Sequence, residues 1–96
     1  MFRSPAEGVT YDTARVCKQV ADYIERVGWI QHSYRTDKGV CLFTALSDCH
    51  SHYGAVHTVI RAELTGGMPI SDWNDQPGRT KEEVIDGLKR IAEQIF

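Results

Sequence analysis

The sequence predicts a mainly α fold of the α+β class, with about four helices in one domain and a small β-hairpin between the first and second helices. Three observations predict it. Apolar residues recur at helical spacing in several segments, aromatic and β-branched residues flank a turn after the first of these segments, and the chain has only 96 residues. A chain this short can enclose a single core. Residues 1–96 are therefore expected to form one domain, with residues 1–9 as a loosely ordered N-terminal segment.

The first helix is predicted at Thr10–Val27, where apolar residues form one face and charged residues form the other. Gly28 follows the last apolar residue and is expected to cap the end of the helix. Upstream, Ser4, Pro5 and Glu7 have the spacing of an N-cap, a first helical residue and a capping-box partner. An earlier helical turn is therefore expected there.

The hairpin is predicted from two apolar segments on either side of a turn. Trp29–Tyr34 is rich in aromatic and β-branched residues, residues 36–39 carry turn chemistry, and Val40–Leu42 forms the second apolar run. A lone two-stranded hairpin is only marginally stable in water, so one of its faces must pack on the helices. Trp29 is the expected anchor.

Two short helices are predicted after the hairpin. Their apolar stripes are Leu42, Ala45, Leu46, Cys49 and Tyr53 for the first, and Val56, Val59, Ile60 and Leu64 for the second. Gly54 separates the two helices, and Gly66 and Gly67 end the second one. A connection follows in which Ser71 is expected to cap a single helical turn.

The last helix has the clearest start signals in the chain. Gln76–Arg79 has its proline and glycine where a type II turn requires them, Thr80 can act as the N-cap, and Glu83 completes a capping box. An apolar stripe then continues to Ile95. This helix is predicted to pack along the first one.

The composition limits the classes of partner. With 42% hydrophobic and 25% charged residues, it is that of an ordinary globular protein. The 11 basic and 13 acidic residues give a net charge of −2 without a basic cluster, so duplex nucleic acid is not expected as a partner.

No apolar run approaches the roughly 18 residues of a membrane span, and the N-terminus lacks a secretory signal, so no membrane is expected either. Three cysteines without paired spacing are typical of reduced thiols. We therefore expect a cytoplasmic protein.

Cys49, His50, His52 and His57 form a cluster of potential metal ligands. A structural zinc site needs four ligands within tetrahedral reach, which usually come from paired elements. Cys49 and His52 share a predicted helical face, but His57 is poorly spaced and a glycine separates the two helices. The sequence therefore predicts neither a metal site nor a cofactor.

Nucleophilic catalysis would require a cysteine or serine beside a histidine. Cys41 and His32, on opposite sides of the predicted hairpin, are the best such pair. Cys41 lies in an apolar run and is expected to be buried, which would leave its thiol unreactive. No catalytic residue is therefore assigned, and a Cys/His-dependent enzyme is kept as an alternative.

Six residues are candidates for binding: Gln31, Trp73, Asn74, Asp75, Gln76 and Arg79. Trp73, Asn74, Asp75 and Arg79 bring an aromatic face, an amide, a carboxylate and a guanidinium into seven residues, a set that could bind a small polar ligand or a protein partner. The same segment can also be interpreted as a structural joint, in which Trp73 is buried, Asp75 bonds the turn amides and Arg79 is solvated. Turn and cap chemistry leaves Asn74, Gln76 and Arg79 unexplained.

Two blocks, YIERVGWIQHSYRTDKGVCLFTAL and ISDWNDQPGRTKEEVIDGLKRIAEQ, resemble an uncharacterised family of small proteins of actinobacteria and their bacteriophages. The shared motifs are Gly-Trp-x-Gln at 28–31, Gly-x-Cys-x-x-x-Ala-Leu at 39–46, and Trp-Asn-Asp-x-Pro-Gly-Arg-Thr at 73–80. The resemblance extends over most of the chain from Ala14 onward, and the His-rich segment 49–57 is outside the pattern. It implies a compact cytoplasmic accessory protein, of the kind that a phage genome encodes to act on its bacterial host.

The function predicted from the sequence is non-catalytic binding, with the hairpin and the Trp73–Arg79 segment as the working surface and a protein of a bacterial host as the partner. The alternative is binding or sequestration of a small nucleotide-like ligand. In that case Trp73 would stack a base, and Arg79 would meet a phosphate near the N-terminus of the last helix. A Cys/His-dependent enzyme is the second alternative.

Overall fold

Five helices and one two-stranded hairpin make up the part of the chain that the structure, a computed structural model, describes, namely residues 9–51 and 53–95. In chain order they are α1 (Tyr11–Val27), β1 (Arg35–Thr36), β2 (Gly39–Val40), α2 (Leu42–Cys49), α3 (Ala55–Thr65), α4 (Ile70–Asn74) and α5 (Lys81–Ala92). The predicted fold class, a mainly helical domain with a hairpin between the first two helices, is confirmed. The turn expected at residues 4–7 lies outside the described residues, as does nearly all of the expected loose segment 1–9.

The predicted bounds of the first helix and the predicted start of the last helix are confirmed, whereas α5 ends at Ala92, before the end of the apolar stripe predicted to continue to Ile95. Thr10 caps the start of α1, and Gly28 ends it by donating its N–H to Ile24 O at 2.8 Å. Thr80 and Glu83 form the capping box of α5, each side chain accepting the other residue's backbone N–H at 3.1 Å. These caps satisfy backbone groups that the helices themselves leave without partners.

The core lies between α1 and α5, which pack along each other as predicted, with α2 against α1 and α3 against both. Its largest fully buried apolar side chains are Val16, Val20, Ile24, Val40, Leu42, Leu46, Ile60, Val84 and Leu88. Burying each such side chain contributes about 1.5–3 kcal/mol relative to leaving it exposed. These helices are therefore the frame that supports the hairpin and α4.

None of the helices in residues 9–51 and 53–95 combines the length and the apolar character that crossing a membrane would require.

Both strands of the hairpin are shorter than predicted and lie closer to the turn between them. Its strands are Arg35–Thr36 and Gly39–Val40, antiparallel, with Arg35 opposite Val40. Trp29 is outside the hairpin and forms a parallel bridge to Val40, with Ile30 N–H donating to Val40 O at 3.1 Å. Trp29 is half-buried against the core, so its predicted role as an anchor is confirmed.

The predicted bounds of the two strands, Trp29–Tyr34 and Val40–Leu42, were wrong for two physical reasons, although Val40 does lie in β2. His32 has a φ of +68°, which an extended strand cannot contain. At the other strand, Leu42 N–H donates to the side chain of Asn74 at 3.0 Å, and the chain enters α2 at that residue. Both departures depend on contacts between segments that are distant in the chain. Local residue propensity carries no information about such contacts.

Two smaller expectations were also wrong. Tyr53 is exposed and lies beyond α2, because the hydroxyl of Ser51 bonds both the N–H and the carbonyl of Tyr53 and competes with helix formation. Ser71 lies inside α4 and does not cap it. The N-cap is Pro69, whose φ of −54° already suits the start of a helix.

Gly28 and Gly39 allow β2 to lie directly against the end of α1. Val40 N–H donates to Gly28 O at 3.1 Å. A Cβ on Gly39 would overlap the backbone of Gly28, and a Cβ on Gly28 would overlap the carbonyl oxygen of Lys38. Any side chain at either position would therefore separate β2 from the segment that leads into the His32 bend.

Asp48 in α2 ties β1 to the helices. Its Oδ2 accepts from Tyr23 Oη–H at 2.7 Å and from Arg35 Nη2 at 2.6 Å. The hydrogen bond from Tyr23, with a smaller contribution from Arg35, holds the pKa of Asp48 below its ordinary value. Exposed ion pairs of this kind contribute at most about 1 kcal/mol, so this contact orients the hairpin more than it stabilises the fold.

Gly39→Ala should lower the free energy of unfolding by more than about 3 kcal/mol, because its Cβ would overlap backbone atoms that cannot rotate away. Gly66→Ala is the matched control. Gly66 also has a positive φ, but nothing lies within 4 Å of its added Cβ, so only the left-handed penalty of about 1–2 kcal/mol is expected. Chemical denaturation of both variants measures the difference, and equal losses would contradict the close approach of the two glycines.

Candidate functional site

The side-chain amide of Asn74 is the centre of the region that holds the candidate residues, and it is fully buried. Its Oδ1 accepts from the indole Nε1–H of Trp29 at 2.6 Å and from Leu42 N–H at 3.0 Å. Its Nδ2 donates to Ile30 O at 3.1 Å and to Asp75 Oδ1 at 3.0 Å. A side-chain amide has two donor hydrogens and two acceptor lone pairs, so its full capacity is used.

Gln31 makes a second connection between the same two segments. Its Nε2 donates to the backbone oxygens of Asn74 at 3.0 Å and of Gln76 at 2.9 Å. Gln31 therefore bonds the backbone of the loop and not the side chains of Asn74 and Asp75. Together, the two amides fix residues 29–31 against the end of α4.

Asp75 holds the bend at His32. Its Oδ1 accepts the backbone N–H of His32 at 2.9 Å as well as the amide of Asn74. The prediction that Asp75 bonds the turn amides after it is wrong, because the bend brings a backbone donor of another segment within reach. His32 is the one non-glycine residue with positive φ in residues 9–51 and 53–95. Such strain costs on the order of 1–3 kcal/mol and persists only where surrounding contacts impose it.

The charge of Asp75 is fixed by the same bonds. Partial burial raises the pKa of Asp75, but hydrogen bonds from the His32 N–H and the Asn74 amide outweigh burial and hold the pKa below its ordinary value. Asp75 is therefore a carboxylate at neutral pH. Its second oxygen, Oδ2, lies 4.0 Å from His32 Nδ1, which is beyond hydrogen-bond distance.

Arg79 lies over the ring of Trp73. Its guanidinium carbon is 3.8 Å from the ring centroid, and its nitrogens donate to Trp73 O, Gln76 Oε1 and Glu83 Oε2 at 3.1, 2.9 and 3.3 Å. The predicted burial of Trp73 is confirmed. The expectation of a solvated Arg79 is wrong, because its side chain is only 15% exposed and is held by its own chain.

A cavity of about 290 Å³ lies beside this network. It is lined by His32, Ser33, Tyr34, Cys41, Ser71 and Asp75. Its walls are the bend after Ile30, the start of α2, and α4 with the residue after it. Of the six candidate binding residues, Asp75 alone is on the wall, while Gln31, Trp73, Asn74, Gln76 and Arg79 belong to the network that holds the wall in place.

Sequence reasoning missed Ser33, Tyr34 and Ser71 as cavity residues. The sequence predicts Ser33 and Tyr34 as part of a strand and Ser71 as a helix cap. Their position at the cavity follows from the bend at His32, which depends on Asp75 from a distant segment. Cys41 and His32 were paired from the sequence, and both line the cavity.

Cys41 is the N-cap of α2 and is buried, as predicted. Its Sγ accepts from Thr44 N–H at 3.4 Å and lies at the same distance from Thr44 Oγ1, to which the thiol donates. The other two thiols lie away from the cavity. Burial raises the pKa of Cys17 to about 12, and partial burial raises the pKa of Cys49.

The His-rich segment is only partly described, since His52 lies outside the described residues. Within residues 9–51 and 53–95, no three His, Cys, Asp or Glu side chains are grouped so that they could hold a metal ion.

The fold and the site define a small helical domain in which side-chain amides fix one wall of a cavity. The chain belongs to the family of unknown function DUF6197, whose family model matches residues 9–94. The expectation of an uncharacterised family is confirmed by this match. Comparisons with curated proteins and with solved structures find no significant match to the chain.

Asn74→Ala should lower the free energy of unfolding by about 3 kcal/mol or more, because the Trp29 indole, the Leu42 N–H and the Ile30 carbonyl would each lose a partner in a buried region, at about 1–3 kcal/mol per group. Gln76→Ala is the matched control. It removes a neighbouring amide that bonds only Arg79 among the hydrogen bonds described above, and should cost about 1 kcal/mol. Urea denaturation compares the two, and an Asn74→Ala loss no larger than that of Gln76→Ala would refute the structural role of the amide.

Proposed function

We propose that this protein binds a small polar ligand that carries a positive charge or several hydrogen-bond donors, in the cavity lined by Asp75. The observation that carries the proposal is the carboxylate of Asp75. Its Oδ1 accepts two hydrogen bonds from its own chain, whereas its Oδ2 has no hydrogen-bond donor within residues 9–51 and 53–95 and lies 4.0 Å from His32 Nδ1. A carboxylate that is held in place and has a second oxygen available can accept hydrogen bonds from an ammonium or guanidinium group.

The remaining wall residues suit such a ligand. Ser33, Ser71 and Tyr34 bring hydroxyl groups that can both donate and accept, and Tyr34 adds an aromatic ring that can lie against a cation. None of the six wall residues is a lysine or arginine. A volume of about 290 Å³ is at the lower end of the range for ligand pockets, which favours a metabolite-sized ligand.

The supporting network gives the cavity a rigid wall. Asn74 and Gln31 fix the segment before the bend, and Asp75 fixes the bend itself. A site held in its binding geometry before the ligand arrives loses less entropy on binding. We propose this supporting role for five of the sequence candidates and direct ligand contact for Asp75.

The contacts of Trp73 and Arg79 favour this reading over the two sequence-based alternatives for the same loop. Trp73 is buried with Arg79 over its ring, so the guanidinium already covers that face of the ring where a base would stack. A carboxylate at the cavity also repels phosphate. The polar groups of Arg79 are bound to its own chain, which leaves less for a protein partner to contact.

The cellular setting we propose is the cytoplasm of a bacterium, as a host or phage accessory protein. The resemblance to small actinobacterial and phage proteins supports this setting, and the three free thiols fit a reducing compartment.

Backbone-amide NMR titration with methylguanidinium and ethylammonium as probes tests the proposal. Shifts should concentrate at residues 32–34, 41, 71 and 75, and acetate or inorganic phosphate should leave these amides unchanged. Asp75→Asn should abolish the shifts, because it removes the charge while its amide oxygen can still accept from His32. Asp72→Asn removes the same charge from an exposed position on α4 and should leave them intact. Shifts spread over the acidic surface, or unchanged by Asp75→Asn, would refute the site.

A further inference from the structure

The two oxygens of the Asp75 carboxylate are not equally available to a ligand. Oδ1 accepts the backbone N–H of His32 at 2.9 Å and the side-chain amide of Asn74 at 3.0 Å. A carboxylate oxygen has about two lone-pair sites, so the protein itself uses the capacity of Oδ1. Oδ2 receives no hydrogen bond from the part of the chain that the structure describes. A ligand in the cavity therefore meets one available carboxylate oxygen and not two.

This asymmetry distinguishes between two kinds of organic cation. A guanidinium is planar, and its preferred contact with a carboxylate is a pair of parallel N–H···O bonds, one to each oxygen. That pair cannot form while Oδ1 keeps its bonds to His32 and Asn74. A primary ammonium is a compact charge with three donors, each of which needs only one acceptor atom. Asp75 therefore suits an ammonium better than a guanidinium.

Ser71 provides a second acceptor one helical turn before Asp75. The backbone N–H of Asp75 donates to Ser71 O at 3.1 Å, so the two residues have the i, i+4 relation of a helix. Side chains in this relation are neighbours, with Cβ atoms about 5–6 Å apart. Both residues line the cavity, and the Ser71 hydroxyl makes no hydrogen bond to any other described residue. One nitrogen atom between the two side chains can donate to both.

We propose that the cavity binds primary amines in their ammonium form, held between Asp75 Oδ2 and Ser71 Oγ, in preference to guanidinium or quaternary ammonium compounds. This inference rests on the proposed function, because it uses the same cavity, and it names the class of ligand. A quaternary ammonium carries the same charge but has no N–H group, so neither acceptor can form a hydrogen bond with it.

Three probe cations test the preference: ethylammonium, methylguanidinium and tetramethylammonium. Each is titrated into the protein at pH 8, where all three are charged, and the backbone-amide NMR shifts of residues 32–34, 41, 71 and 75 give the dissociation constants. Ethylammonium should bind at least about fivefold more tightly than either of the other two, because it alone can use both acceptors without displacing the bonds to Oδ1.

Ser71→Ala tests the second acceptor, and alanine is the residue most compatible with the helix that Ser71 occupies. The variant should weaken ethylammonium binding about three- to tenfold, the effect of one lost hydrogen bond, and should leave tetramethylammonium binding within about twofold. A change that only disturbed the structure of the cavity would weaken both cations. Asp72→Asn, at an exposed position next to Ser71, should preserve the preference for ethylammonium.

The outcomes separate this inference from the proposed function. Methylguanidinium or tetramethylammonium bound in the cavity as tightly as ethylammonium would overturn the inference and leave the cation site standing. Ethylammonium binding that Ser71→Ala leaves unchanged, or weakens no more than tetramethylammonium binding, would overturn it as well. If none of the three cations shifts the cavity amides, the inference and the proposed function both fail.

Discussion

Four hydrogen bonds to one buried side-chain amide, that of Asn74, hold together the segment after α1, the start of α2 and the end of α4. Burial of apolar surface is enough to assemble the helical core. It does not specify how these three segments are placed against one another. An amide can do so because its two donors and two acceptors have fixed directions, and leaving any of them buried without a partner costs free energy. The position of Asn74 thereby determines the geometry around it.

The cavity is a consequence of this junction. Asp75 follows Asn74 in the chain, so the orientation of the buried amide also places the carboxylate that accepts the backbone N–H of His32, the residue with a φ of +68°. His32, Tyr34, Ser71 and Cys41 line the cavity beside this bend. Most of the residues that the sequence indicates as a binding site support the cavity wall and do not line the cavity. Of the six, Asp75 alone lies on the wall.

The parts of the structure that were predictable depend on local signals. The ends of α1 and α5 follow from Thr10, Gly28 and the Thr80–Glu83 capping box, and the core stripes follow from helical periodicity. The bend at His32 was not predictable, because it is imposed by a side chain more than thirty residues away along the chain. The candidate site depends on this long-range bond, so the sequence indicated Asp75, His32 and Cys41 as candidates but could not indicate that they share a cavity.

Native-state hydrogen exchange of the Trp29 indole N–H measures the central claim most directly. The indole belongs to a half-buried residue in an irregular segment, and without the bond to Asn74 it would exchange by local fluctuation. The structure predicts that it exchanges only by global unfolding, with the same protection free energy as the amide of Leu88 in the core. Protection of the indole far below that of Leu88 would contradict the account, since it would show that this junction opens while the helical core stays folded.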